Sequence, residues 1–319
     1  MSIDTDKLSG RYRAQLVDAP RKRILISKIE GSGQEPDLTK RPNAAGLGRV
    51  HHFRRGAASG RWIENPLPID PACEYLGFTR RESMTAQVFQ NAACNWRCWY
   101  CYVPFDMLGA QPDRSQWASV EDLVNAYADL PDRPSILDLS GGQPELTPEW
   151  VLWTMAGLQR RGIAQSTYLW SDDNLSNDYF WTYLTDADRE RIVTYPGYGK
   201  VGCFKGFDGE SFAFNTEAPP ELFDRQFELF KRYFDEGLDI YAYVTFTHTG
   251  KTKVRDAMER FAERLQHIDE SLLGRTIPLE IAAYGPVHSR LDATRKWAME
   301  IGQYQALDLW LEILGRRVR

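Results

Sequence analysis

From residue 85 onward, short apolar runs alternate with longer amphipathic ones. Residues 85–91 read as a strand, and 119–130 as a helix capped by Ser119. Residues 135–139 form the next strand, which runs into Gly141-Gly142. Thr147 is expected to cap the following helix, Pro148 fits its first turn and Gly162 stops it. Strands are then expected at 166–170, 201–204, 239–247 and 277–283. The helices between and after them are expected at 177–184, 220–236, 251–267 and 291–314. Six strand–helix units in alternation imply a parallel sheet with helices outside, either open and doubly wound or curved into a partial barrel. In both cases the chemistry belongs at the carboxyl ends of the strands.

Residues 1–84 follow a different pattern. One short strand is expected at 24–27, and residues 31–61, rich in Gly, Pro, Asn and Arg, show no clean period. The segment is expected to be an irregular extension, 1–84, preceding a catalytic unit at 85–319. Its basic cluster, His51, His52, Arg54 and Arg55, reads first as solvated surface.

Composition narrows the function classes. The chain has 319 residues, 43% of them hydrophobic and 13% aromatic, enough for a substantial core. A formal charge of -5 does not indicate a nucleic-acid partner. No apolar run reaches the length of a membrane span, and the polar amino terminus has no apolar signal core. Five cysteines, three of them close together, do not form a secreted disulfide pattern, so a cytoplasmic location is expected.

Those three cysteines carry the chemistry: Cys94-Asn-Trp-Arg-Cys98-Trp-Tyr-Cys101, at the end of the 85–91 strand. Three thiolates on one loop suit a soft metal centre. A structural zinc site needs a fourth ligand, for which His51 or Cys73 are candidates. A four-iron cluster held by three cysteines leaves one iron open to another ligand.

The run resembles the signature of the radical S-adenosylmethionine (SAM) superfamily, with cysteines spaced three and then two residues apart and an aromatic, Tyr100, before the last. The resemblance implies a partial (β/α)6 TIM-type barrel. It also implies one [4Fe–4S] cluster on Cys94, Cys98 and Cys101, SAM on the open iron, and Tyr100 near the adenine. Ser140-Gly141-Gly142-Gln143-Pro144 resembles the family's Gly-Gly-Glu-Pro turn that holds the SAM amino group, with Gln143 in place of the usual Glu. Ser171 and Asp172, at the third strand end, are candidates for the SAM ribose, or else a helix cap. Lys205, at the fourth, resembles a lysine near SAM in some activating enzymes. Cys203, just before it, is expected in the core. His248, Tyr284 and His288 follow the fifth and sixth strands, and the two histidines are candidate general acids or bases. Arg290 is a candidate for holding a carboxylate or phosphate, or a solvated helix start.

The resemblance further implies reductive cleavage of SAM to a 5′-deoxyadenosyl radical that removes hydrogen from a small-molecule or peptide substrate. The electron comes from a donor such as flavodoxin or ferredoxin. An activating enzyme for a partner protein and a non-catalytic metal-binding module are the alternatives. Residues 30–80 are expected to help cap the barrel mouth.

Overall fold

The computed structural model describes residues 2–57, 59–251 and 253–317. Its strands are β1 (Val17–Asp18), β2 (Arg23–Ser27), β3 (Gly48–Arg54), β4 (Ser83–Phe89), β5 (Ser115–Ser119), β6 (Ile136–Leu139), β7 (Tyr168–Asp173), β8 (Tyr198–Phe204), β9 (Ile240–Thr245) and β10 (Thr276–Leu279). The α-helices are α1 (Thr5–Leu16), α2 (Ile69–Leu76), α3 (Val120–Ala128), α4 (Glu149–Arg160), α5 (Tyr179–Tyr183), α6 (Asp186–Val193), α7 (Gly209–Thr216), α8 (Leu222–Asp235), α9 (Val254–Ile268), α10 (Ala293–Trp297) and α11 (Gln303–Arg317).

Strands β6 to β9 are buried along nearly their whole length because both faces are covered, as parallel strands require. Seven strands pair in the order β10-β9-β8-β7-β6-β4-β3. Every pairing from β4 to β10 is parallel, and β3 runs antiparallel along β4. The sheet is curled and open between β3 and β10, a mixed α/β half-barrel. Strands β1, β2 and β5 form a separate three-stranded antiparallel sheet.

The two faces differ in content. The convex face carries Leu137, Leu139, Leu169, Phe204 and Val244 against the surrounding helices. Each fully buried side chain of this kind contributes roughly 1.5–3 kcal/mol. The concave face is apolar at the amino ends of the strands, where Met84, Ala86, Ile136, Tyr168 and Trp170 meet Leu67, Ile69, Ala72 and Cys73. Residues 62–76 therefore close the floor of the half-barrel rather than its mouth. Trp62 Nε1 donates to the Pro278 carbonyl at 2.9 Å, and Tyr243 Oη donates to the Leu67 carbonyl at 3.2 Å. Within 30–80, Leu38 lies nearer the mouth, packing with Val103, Met107 and Leu108.

The segment expected to be irregular also holds α1, β1, β3 and α2. α1 is only weakly apolar, and β3 alternates polar residues on both faces, so neither shows a strong period. α2 contains Pro71 within a short apolar run. Ser119 caps α3 as expected, accepting from Asp122 N at 3.0 Å. Thr147 does not cap α4: its hydroxyl donates back to the Pro144 carbonyl at 3.1 Å, and Pro148 occupies the cap position. The expected 177–184 helix is α5, and α6 and α7 are additional.

Candidate active site

The cysteine loop leaves β4 and is tied to elements far away in sequence. Asn95, 0% exposed, donates to the hydroxyls of Ser9 on α1 (2.8 Å) and Ser176 (2.7 Å) and accepts from Asn174 Nδ2 at 2.9 Å. Trp96 Nε1 donates to Thr5 Oγ1, and Trp99 Nε1 to Asn215 Oδ1. Arg290 reaches in from the far end of the chain. Its Nη1 donates to the Cys101 carbonyl at 2.5 Å, its Nη2 donates to the Val103 carbonyl at 3.0 Å, and its guanidinium lies 3.6 Å from the Phe105 ring centroid. Arg290 thus clamps the loop and binds neither a carboxylate nor a phosphate here.

Within this frame the three thiols share one electrostatic environment. Burial pushes the Cys98 thiol up to about 12; Lys205 opposes the shift, and Cys94 and Cys101 add to it. Burial, then Cys94, also raises Cys101. For Lys205, burial acts against the charge, but Cys203, Tyr100, Cys98 and Cys94 outweigh it and hold the ammonium protonated. Tyr100 Oη lies 3.0 Å from Thr245 Oγ1, and burial followed by Cys98 raises its phenol. Cys94, Cys98, Cys101, Tyr100 and Lys205 thus influence one another electrostatically, while Cys203 is buried on the concave face.

The donor chemistry fits a thiolate-bound iron–sulfur cluster: three sulfurs near enough to perturb one another, with a lysine cation beside them. Among the described residues, no three His, Cys, Asp or Glu side chains are already gathered as a metal-binding set. Cys73 lies on the floor, 3.6 Å from Met84 Sδ, at the opposite strand end from the loop, and so is not a fourth ligand to it.

The Gly141–Gly142 turn packs against the start of this loop. Both glycines have positive φ, +90° and +68°. A Cβ on Gly142 would stand 2.4 Å from the Asn91 carbonyl oxygen, so only glycine permits this approach. Gln143 N donates to the Ala93 carbonyl at 2.8 Å. The Gln143 side chain is spent inside the protein: Nε2 donates to Asp173 Oδ1 at 2.8 Å and Oε1 accepts from Asn174 N at 3.0 Å.

Alternation along β7 separates the two ribose candidates. Asp172 faces the concavity, where it accepts from Ser140 Oγ at 2.6 Å; burial raises its carboxyl, and the Ser140 bond and Lys205 oppose the shift. Ser171 points the other way, fully buried, its hydroxyl 2.7 Å from Tyr198 Oη. Ser171 is therefore not available to a ligand at the mouth.

His248 is also a structural residue and not a general acid or base. It is 1% exposed, its Nε2 lies 3.1 Å from the Gly302 carbonyl and its Nδ1 accepts from Gly250 N at 3.0 Å. Both ring nitrogens are occupied, and burial lowers its pKa. His288 and Tyr284 are exposed at the turn formed by Gly285–Arg290.

Several site residues carry no motif. Asp138 lies in the apolar run Ile136–Leu139, Gln90 follows β4, and Arg49 lies on β3. Lys200, 0% exposed on β8, pairs with Glu145 and approaches Asp173 at 3.9 Å. A charge inside an apolar strand run was the available signal for Asp138 and Lys200.

No protein-family model matches the chain, and no curated protein matches it. Among solved structures, SuiB of Streptococcus suis bound to S-adenosylmethionine is similar at 11% identity and a TM-score of 0.46, over 72% of this chain and 47% of that one. SuiB bound to the precursor peptide SuiA matches at 11% identity and 0.41, over 68% and 54%. Histidine-tagged anSMEcpe with bound AdoMet matches at 12% and 0.36, over 59% of each chain. The chain thus spans roughly half the length of the solved structures it matches.

Proposed function

We propose that this chain is a radical SAM enzyme, with residues 85–319 as its catalytic unit and residues 1–84 as a supporting extension. The observation that carries the reading is the cysteine loop itself. Three thiols just past the carboxyl end of β4 lie within electrostatic reach of one another and of Lys205.

In this reading Cys94, Cys98 and Cys101 hold one [4Fe–4S] cluster. When bound, that group supplies the electron for reductive cleavage of SAM to methionine and a 5′-deoxyadenosyl radical. The residues of this chain bind, orient and exclude water. The Gly141–Gly142 backbone gives close approach at the mouth, braced by Gln143 through Asp173. Asp172 offers a carboxylate to ribose hydroxyls, and Tyr100, fixed by Thr245, offers a ring face to the adenine. Lys205 keeps its proton at Nζ and balances negative charge at the loop. The floor built by residues 62–76 closes the inner end to water. Hydrogen abstraction from a small-molecule or peptide substrate follows in the concavity, with electrons from a flavodoxin- or ferredoxin-type donor. Among the described residues, no helix is long and apolar enough to cross a membrane.

Anaerobic reconstitution with iron and sulfide tests the reading. It predicts a brown protein with about four irons per chain, release of 5′-deoxyadenosine on reduction with SAM, and loss of both in Cys98→Ala. A colourless protein that binds zinc, or one without 5′-deoxyadenosine release, overturns it. An iron count near eight would overturn the single cluster.

A further inference from the structure

Three polar side chains on β3, β4 and β6 share the concave face, each with buried polar atoms that lack partners. Pairing of β3, β4 and β6 places Arg49 opposite Val88 and Val88 opposite Asp138, and Gln90 follows two residues past Val88 on the same face. All three are buried: Arg49 is 5% exposed, Asp138 3% and Gln90 0%. Arg49 Nε, Asp138 Oδ1 and both amide atoms of Gln90 have no hydrogen-bond partner. The remaining Arg49 contact is Nη2 donating to Tyr102 Oη at 3.0 Å. Among the described residues, neither Arg49 nor Asp138 has an opposite charge within ion-pair distance; burial, then the neighbouring Asp172, hold the Asp138 carboxyl well above the usual carboxylate range, Arg49 opposes them, and a ligand cation would favour its ionised form.

Unpartnered buried polar groups cost several kcal/mol, and here an arginine and a carboxyl flank Val88 on one face with no contact joining them. A ligand that relieves both presents a cation or strong donor to Asp138 and an anion to Arg49 across a short span. Gln90 can donate to one end and accept from the other. We infer that this concavity is a substrate site for the zwitterionic head of a free α-amino acid, its ammonium on Asp138 and its carboxylate on Arg49, with Gln90 completing the set. A peptide separates those two groups at its two ends and does not satisfy both. The inference rests on the radical reading for its reaction, but the binding it describes does not need that reading.

The test uses the full chain and each common L-amino acid at roughly 10 mM in thermal unfolding. At least one is expected to raise Tm by roughly 4 °C. Its N-acetyl and methyl-ester forms, which each remove one charge, are expected to lose the shift. Arg49→Gln and Asp138→Asn are each expected to weaken binding at least tenfold. Should Arg49→Gln not fold, Arg49→Lys serves, because it keeps the charge and loses the Nε donor. The inference fails if no amino acid shifts Tm, if the blocked forms bind as well, or if the variants keep full affinity. It also fails if saturating SAM abolishes the shift, since the site is then the cofactor's own. Amino-acid binding through Arg49 and Asp138 in a protein that forms no cluster would leave this inference standing and defeat the radical reading. A cluster-bearing protein that releases 5′-deoxyadenosine but binds no amino acid would do the reverse.

Discussion

Lys200 and Glu145 form an ion pair in which neither side chain is more than 2% exposed, and Asp173 stands 3.9 Å from the same ammonium. The pair lies behind the Gly141–Gly142 turn, joined to it through Gln143 and Asp173. Taking one partner away leaves a buried charge without compensation. Lys200→Met is expected to cost about 3–5 kcal/mol. Glu145→Gln is expected to cost less, because Asp173 still faces the lysine. Urea unfolding of the two single variants and the double measures the coupling, and strict additivity would show that the pair does not interact.

Gly142 and Gly162 share nearly the same positive φ, +68° and +67°, but not the same surroundings. Nothing lies within 4 Å of a Cβ on Gly162, so Gly162→Ala bears only the left-handed penalty, about 1–2 kcal/mol. Gly142→Ala adds a collision with the Asn91 and Ala93 carbonyls. It is expected to cost at least about 2 kcal/mol more and to displace the cysteine loop. Equal Tm losses in the two variants would remove the close-approach argument.

Arg290 makes charge-assisted bonds to the carbonyls of Cys101 and Val103. Arg290→Met keeps much of the contact with Phe105 but removes those donors, at a cost of about 1.5–3 kcal/mol per bond. Amide hydrogen exchange across residues 98–105 is expected to accelerate well beyond the global loss of stability. Unchanged exchange there would show that the loop holds itself.

His51 faces the concavity, solvent-reachable from the open side. The side chain is itself exposed, but crowding by the surrounding barrel, then Arg49 and His52, lower its pKa, to about 3 in the absence of that solvent access. Below pH 6.5 the unfolded chain gains a proton that the folded state does not take up until about pH 3. Stability contributed at neutral pH is therefore lost as pH falls from 6.5 towards 3, and solvent access moderates the size of the loss. His51→Gln should flatten this part of the stability profile. An imidazole NMR titration midpoint near 6.5 would contradict the assignment.

The parallel strands were legible because burial on both faces leaves dense apolar runs, and the Ser119 cap of α3 and the Gly162 stop after α4 followed from single residues, whereas the Thr147 cap did not. β3 was not legible: Arg49, His51, His52 and Arg54 look solvated in a linear chain, and only the curl of the sheet turns two of them inward. α1 escaped for a related reason, since its stability comes from contacts with Asn95, Trp96 and Glu149 rather than from an apolar stripe. In the candidate site the cysteines and the Gly-Gly turn were readable from spacing. The role of His248 was not, because its partner is a backbone carbonyl at Gly302 that no side-chain pattern announces. Ser171 and Asp172 are adjacent, and a shift of one residue in strand phase decided which of them reaches the mouth.

The ties of the cysteine loop also set an order of events during synthesis. Asn95 needs Ser9, already made, and Ser176, which emerges much later; Trp99 waits for Asn215, and Cys101 for Arg290. Until the chain through Arg290 has left the ribosome, the three thiols lack the last of these ties. Such thiols are open to oxidation and to stray metal until Arg290 is in place, so reducing conditions are expected to raise the yield of correctly folded chain.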